Sequence, residues 1–273
     1  MDNLKKNNLL LVKLGGSVIT FKEKPLSPNH ESINKLSDIF KEITKNYKVI
    51  IVHGGGSFGH YWSVKYDLHT RPHPYNDEGV SRVRESMIKL NSLIIEKFIT
   101  NDLKPFSIQA SSFVFNNVPC REKILDIFNM IKDNDLIPVT YGDVIHTSNG
   151  NFSILSGDTL MNILSEYLKP KMCIFTTNVD GIYDDIKNGS LVSNIILEKK
   201  DLLNNNVAPN IAFSNMMFDV TGGMKRKISE SINIVKKGVP VYLINGFYPE
   251  RIMNIIKGND FIGTCIKVKE DSV

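Results

Sequence analysis

Hydrophobic positions along the chain follow two alternating rhythms. Short runs rich in β-branched residues, at Leu9–Leu14, Val49–His53, Pro105–Ile108, Leu136–Thr140, Met172–Thr176 and Val239–Ile244, are apolar at most positions. Strands buried on both faces of a sheet have that pattern. Between them, apolar residues recur at helical spacing. Ile33, Leu36, Phe40 and Ile43 make one stripe, and Val80, Val83, Met87, Leu90, Ile94 and Phe98 make a longer one; each predicts the buried face of an amphipathic helix. Leu160, Ile163, Leu164, Tyr167 and Leu168 predict a further helix that opens at Ser156-Gly157-Asp158 and ends before Pro170. Strands alternating with helices predict βαβ units, hence an α/β fold: a three-layer αβα sandwich around a mostly parallel, open central sheet. Asn204-Asn205-Asn206 reads as an exposed loop, and no Gly/Ser- or Pro-rich linker divides the chain. Two lobes sharing one sheet are expected, 1–169 and 170–273, with a soft boundary near Lys169-Pro170.

Composition narrows the class. With 273 residues and 42% hydrophobic side chains, the chain can bury a sizeable core, which excludes a disordered tail or a peptide scaffold. Cys120, Cys173 and Cys265 are odd in number, far apart and outside any CxxC spacing, which argues against a disulfide framework or a zinc knuckle. No apolar run approaches the roughly 20 residues of a membrane helix, and no cleavage-site pattern follows the N-terminal residues. The expectation is a cytoplasmic protein without a membrane partner. The net charge of +4 is mild and the lysines are interspersed with acidic residues, so a nucleic-acid partner is not expected.

Three glycine-rich segments carry the candidate chemistry. Lys13-Leu14-Gly15-Gly16-Ser17 closes a strand with a glycine pair beside a lysine. Glycines admit a phosphate close to backbone N–H groups, and the lysine adds a point charge; alone, the segment equally fits a tight turn after a core strand. Its spacing matches neither GxxxxGKS nor GxGxxG. His53-Gly54-Gly55-Gly56-Ser57-Phe58-Gly59-His60 ends another strand. Three adjacent glycines cost folding entropy that a plain turn does not require, and an anion at a strand-to-helix junction would account for them. The third is Phe218-Asp219-Val220-Thr221-Gly222-Gly223 with Met224-Lys225-Arg226-Lys227 after it, a basic helix start.

In chain order, Lys13-Leu14-Gly15-Gly16-Ser17, His53-Gly54-Gly55-Gly56, Ser156-Gly157-Asp158, Asn178-Val179-Asp180-Gly181-Ile182-Tyr183 and Thr221-Gly222-Gly223-Met224 resemble the amino acid kinase superfamily, and the resemblance spans about residues 9 to 266. The run ending at His60, Tyr141-Gly142-Asp143-Val144, Asn245-Gly246-Phe247-Tyr248-Pro249-Glu250-Arg251 and Gly263-Thr264 are similar to the isopentenyl phosphate kinases. The resemblance implies ATP and Mg²⁺ as cofactors, a homodimer, and an acceptor-binding N-terminal lobe beside a nucleotide-binding C-terminal lobe. It implies that Lys13, Leu14, Gly15, Gly16, Ser17, Gly56, Asp180, Gly181, Tyr183, Gly223 and Lys227 hold ATP. Gly55, Gly59, His60, Gly142 and Gly157 would hold a small phosphorylated acceptor. Lys13, Lys22, His60, Asp158 and Lys227 would be catalytic, with Asp158 orienting the lysines. No protein metal ligand is implied. The sequence departs from the family at Phe21 and Asn178, where aspartates are usual, at Thr159 in place of the second aspartate of SGDD, and at Tyr61-Trp62, where relatives carry proline.

The expected reaction is direct in-line transfer of the ATP γ-phosphoryl to isopentenyl phosphate. An isopentenyl tail offers no hydrogen bonds, so an apolar wall must select it; Phe58, Tyr61, Trp62, Val83, Met87 and Leu90 are candidates that equally fit the core. A kinase of another small anion, such as a fosfomycin-like phosphonate or an acyl carboxylate, and a nucleotide-binding regulator without activity are the alternatives.

Overall fold

The fold is given by a computed structural model, which describes residues 8–69, 74–132, 134–184, 189–198 and 222–269. The Asn204–Asn206 loop and the Phe218–Thr221 part of the third glycine segment lie outside the described residues. Eight strands form the central sheet: β1 (Leu9–Leu14), β2 (Lys48–His53), β3 (Pro105–Ser107), β6 (Ile137–Tyr141), β9 (Met172–Thr177), β10 (Asn194–Leu197), β11 (Val241–Asn245) and β12 (Thr264–Val268). The short β4 (Val114–Phe115) and β5 (Val118–Pro119) pair as one hairpin, and β7 (Asp143–His146) and β8 (Phe152–Leu155) as another.

The strand order is β10-β12-β11-β9-β1-β2-β6-β3. Among the described pairings of this sheet, β11 with β12 is antiparallel and the rest are parallel. From β1 the chain moves outward through β2 towards β6 and β3, and from β9 it moves the other way through β11 and β12. The order therefore reverses between β1 and β9, the place where an open α/β sheet leaves a crevice beyond its strand ends.

Alternation along each strand sorts its side chains between the two helical layers. Leu10, Val12 and Leu14 of β1 join a core with α2 (His30–Ile43) and α4 (Asp77–Thr100). Leu9 and Leu11 face the opposite core, built with α5 (Arg121–Lys132), α6 (Gly157–Leu168) and α7 (Gly222–Lys236). The helices start where the sequence supplies caps: Asn29 accepts from Ser32 N, Asn76 from Gly79 N and Ser156 from Thr159 N. Expected and observed strands differ by one or two residues at their ends, as at Val241, because residues 239 and 240 lead into β11 without extending it.

Candidate active site

Lys13 follows Leu9 and Leu11 at the same parity, so β1 directs it into the α6–α7 layer. There its Nζ lies 2.5 Å from Asp158 Oδ1, and Lys227 Nζ of α7 lies 2.9 Å from the same oxygen. All three side chains are buried. The Phe175 ring of β9, paired with Lys13 in register, has the two ammonium groups 6.0 and 5.5 Å from its centroid. Burial, and next the Lys227 charge, outweigh the pull of Asp158 and lower the Lys13 pKa to about 7. For Asp158 burial acts upward, but the two ammonium groups together outweigh it and hold the carboxyl at about 2. Two lysines on one carboxylate leave positive charge uncompensated in a nearly dry setting, an arrangement that favours a bound anion.

The glycine loops meet above this triad. Gly15 N donates to Thr176 Oγ1 at 3.0 Å, and Thr176 Oγ1 donates to the Lys13 carbonyl at 3.0 Å, tying the ends of β1 and β9 together. A Cβ on Gly16 would stand 2.2 Å from Gly56 N, and Gly56 adopts φ +48°. These two glycines are thus demanded by each other's backbone, which the expectation of a purely anion-driven glycine run did not anticipate. Gly55 opens α3 (Gly56–Lys65) without a side-chain cap; Ser57 N and Phe58 N already donate, to Thr20 Oγ1 at 2.9 Å and to the Gly55 carbonyl at 3.0 Å, so what this helix start offers an anion is chiefly the positive end of its dipole. Gly157 begins α6 with its Cβ position 3.0 Å from Lys13 Cε, and Gly142 packs against it, its Cβ position 2.9 Å from Gly157 N. Leu14 is fully buried in the core, so any contact it makes with a nucleotide is through backbone.

His60 lies on the solvent side of α3. Desolvation first, then the charges of Arg226 and Lys22, hold its pKa below the ordinary histidine value. Lys22 is exposed in a turn closed by the Thr20–Pro28 bridge and by Phe21 N donating to Ser27 O at 2.9 Å. It stands outside the buried triad, on the His60 side of the site. Thr20 Oγ1 accepts from Ser57 N at 2.9 Å and anchors that turn to α3.

On the far side of β1, Ser17 Oγ donates to Asn178 Oδ1 at 3.3 Å, placing the segment after β9 beside the first glycine loop. Asp180 receives Arg251 Nη1 at 2.6 Å and the Tyr183 hydroxyl at 3.4 Å. Its pKa is lowered, principally by the hydrogen bond from Arg251. Gly181 fits under Thr264, whose Oγ1 would be 2.5 Å from a Cβ, whereas Gly223 in the first turn of α7 has open space around it. Arg251, Phe175, Thr176 and Arg226 belong to the site and were not singled out individually from the sequence. Arg251 lies inside a segment that resembled the family and Arg226 in the basic run at a predicted helix start; Phe175 and Thr176 read as ordinary strand residues, and pairing with β1 alone reveals them.

The candidate apolar wall divides. Phe58 and Leu90 belong to the main core. Val83 and Met87 join Tyr141 and Val144 in a separate cluster, with Trp62 packed on its edge. Met87 Sδ lies 3.1 Å from a Cβ position on Gly55 and 3.4 Å from one on Gly59, so this cluster borders the glycine floor. Trp62 has Lys65 Nζ 4.9 Å and Arg82 Cζ 5.7 Å from its ring centroid. Among the described residues no cluster of three or more His, Cys, Asp or Glu is arranged to hold a metal ion, and no helix is long and apolar enough to cross a membrane.

Glycine backbones and two lysines on one carboxylate at the switch point of a three-layer αβα sandwich are the equipment of a phosphotransferase. The sequence pattern of the amino acid kinase family matches residues 8–245, and the chain belongs to that family. Within it, the chain is 34% identical to the isopentenyl phosphate kinase of Thermoplasma acidophilum, over 95% of this chain and all of that protein. It is 31% identical to the isopentenyl phosphate kinase of Methanocaldococcus jannaschii, over 96% of this chain and all of that one. A crystal structure of an isopentenyl phosphate kinase substrate complex superposes with a TM-score of 0.77 at 29% identity, over 95% of this chain and 100% of that one.

Proposed function

We propose that this protein transfers the γ-phosphoryl of ATP to isopentenyl phosphate, giving isopentenyl diphosphate and ADP. The observation that carries the reading is the buried Lys13–Asp158–Lys227 triad beneath two interlocked glycine loops, in a chain similar over its length to isopentenyl phosphate kinases. A phosphate-monoester acceptor has its second pKa near about 6, so its attacking oxygen is already deprotonated at neutral pH and needs no general base. That oxygen forms the new bond to Pγ as the bond from Pγ to the departing ADP oxygen breaks. The protein's task is alignment and countercharge. Lys13 and Lys227 meet the transferring group, with Asp158 holding both, and Lys22 adds charge from the acceptor side.

Gly15, Gly16, Ser17 and Gly56 line the ATP phosphates in this reading, with Gly223 nearby. The segment Asp180-Gly181-Ile182-Tyr183, braced by Arg251, borders the nucleotide. Gly55, Gly59, Gly142 and Gly157 shape the acceptor side, where His60 hydrogen-bonds the acceptor phosphate. In this reading residues 1–169 hold the acceptor and, through Gly15, Gly16, Ser17 and Gly56, the ATP phosphates, while 170–273 border the nucleotide. The lysine-rich cleft fits a magnesium nucleotide, in which the ion is held by the phosphates and adds charge neutralisation.

The test is ADP release with Mg-ATP against isopentenyl phosphate, a phosphonate and acyl carboxylates. Turnover is expected with isopentenyl phosphate, and Lys13→Ala or Lys227→Ala should lower kcat about a hundredfold. Turnover of a carboxylate or the phosphonate, with none of isopentenyl phosphate, would replace this acceptor by another small anion. No turnover with any acceptor, together with retained ATP binding, would make the protein a nucleotide-binding regulator.

A further inference from the structure

Lys227 reaches Asp158 from α7, a helix whose position against α6 is set by hydrogen bonds one turn beyond the lysine. Glu230, three residues on and on the same helical face, receives Thr159 Oγ1 on Oε1 at 2.8 Å and Asn162 Nδ2 on Oε2 at 2.7 Å. Thr159 is the neighbour of Asp158, and its N–H is the one that the Ser156 cap receives at 3.1 Å. The Thr159 hydroxyl has a single proton and gives it to the carboxylate. Ser156 Oγ, 3.0 Å from Thr159 Oγ1, is therefore the donor of that pair. The result is a directional chain, Ser156 to Thr159 to Glu230, running from the cap of α6 into α7. Asn162 extends it: its Oδ1 accepts Lys237 Nζ at 2.8 Å, and Lys237 also pairs with Glu166 at 2.5 Å.

We infer that Glu230 is a positioning residue for phosphoryl transfer: it clamps α7 to the start of α6 in the axial register that brings Lys227 onto Asp158. The inference rests on the proposed kinase reading. The hydrophobic contacts of α7, through Ile228, Ile232, Ile234 and Val235, hold the helix against the sheet but, being non-directional, leave the placement of individual polar atoms free. Hydrogen bonds do not. A shift of one residue's rise, about 1.5 Å, is half the length of the 2.9 Å Lys227–Asp158 contact, enough to lengthen and misalign it or to force the lysine into another rotamer. Both oxygens of Glu230 are engaged by side chains of α6, whereas a residue serving only solubility at that position would face water. The clamp touches neither phosphate nor acceptor, so its effect reaches the reaction through Lys227.

Two measurements test it. In steady-state kinetics with saturating ATP, Glu230→Ala should lower kcat about tenfold with little change in KM for isopentenyl phosphate. Glu230→Gln, which keeps one acceptor, should recover part of the loss. In a Lys227→Ala background, Glu230→Ala should cause no further loss beyond about twofold, because the residue acts through the lysine. An independent readout is the titration of Lys13 by side-chain NMR, which requires no substrate. Lys13 faces Asp158 from α6, Lys227 from α7 and the Phe175 ring from β9. If Lys227 recedes, its repulsion is relieved and the Lys13 midpoint rises from about 7. Removal of the Glu230 charge by itself would lower that midpoint, so the sign separates the two. Wild-type kcat in Glu230→Ala, a multiplicative loss in the double variant, or an unchanged or lowered Lys13 midpoint would overturn the inference. Absence of isopentenyl phosphate turnover by the wild type would overturn the acceptor and leave the clamp to be decided by the titration.

Discussion

Burial and the neighbouring Lys227 charge bring Lys13 down to about 7, so ATP binding at Lys13, as proposed, would depend on pH in a calculable direction. Nucleotide phosphates favour the ammonium form, so above pH 7 binding must take up a proton. ATP affinity is expected to weaken as pH rises from 7 towards 9, approaching about tenfold per pH unit for one linked proton. Calorimetry in buffers of different ionisation enthalpy should register that uptake, and Lys13→Ala should abolish it. His60 differs: desolvation and the charges of Arg226 and Lys22 lower its pKa, so in the proposed role it would act at pH 7 to 8 as a neutral N–H donor. The acceptor kcat/KM at saturating ATP should then show no histidine titration in that range. His60→Asn and His60→Gln should retain part of the activity that His60→Ala loses. A fall above pH 7 in the wild type that is absent from the Asn variant would instead mark a cationic imidazole.

Between β1 and α1 (Gly16–Ile19), and between β2 and α3, the two glycine loops behave as one interlocked unit. A Cβ on Gly56 would approach Thr20 Oγ1 to 2.1 Å and Gly16 O to 2.5 Å, at a positive φ. Gly56→Ala is therefore expected to destabilise the whole fold by at least about 2 kcal/mol, which denaturant unfolding would detect. At Gly56 a substitution therefore acts on the fold and not on binding alone. Gly55 is the cleaner position: its Cβ would meet Gly59 Cα at 3.0 Å and the flexible end of Met87 at 3.1 Å. Gly55→Ala should keep the fold and raise the acceptor KM. Unchanged KM in a folded variant would remove Gly55 from the acceptor floor.

Across the whole molecule, Asp158 links β1, α6 and α7, so its removal should be felt in global stability. Its folded pKa of about 2 lies below the ordinary carboxylate value of 3.8. The stability it contributes is present above about pH 4 and is lost as pH falls through 2. Asp158→Asn leaves Lys13 and Lys227 facing each other without a counter-ion. It should cost about 3–5 kcal/mol at pH 7, a deficit that shrinks as pH rises and Lys13 sheds its proton. Thermal unfolding of both proteins from pH 5 to 9 measures this. An Asn variant as stable as the wild type at pH 7 would mean that the buried lysines need no carboxylate.

Much of this architecture was legible in the chain because strand and helix periodicities are local. The run Leu9–Leu14 became β1 with those bounds, and the stripes of Ile33 and Val80 became the buried faces of α2 and α4. The first two glycine segments announced themselves because a side chain at Gly15, Gly16 or Gly56 would run into neighbouring backbone. The short strand β10 and its partner β12 escaped because they pair with each other from about 70 residues apart, and the hairpins because strands of two to four residues are too short to show a period. Local pattern determined that Lys13 ends a buried strand, that Asp158 opens a capped helix and that Lys227 lies near a helix start. Only the tertiary structure decided that two of these charges share a single carboxylate oxygen, that Gly16 and Gly56 require each other, and that Glu230 spans two helices. Hydrogen bonds and close contacts between residues 40 to 160 positions apart depend on how layers stack, and no spacing along one chain encodes a distance across the sheet.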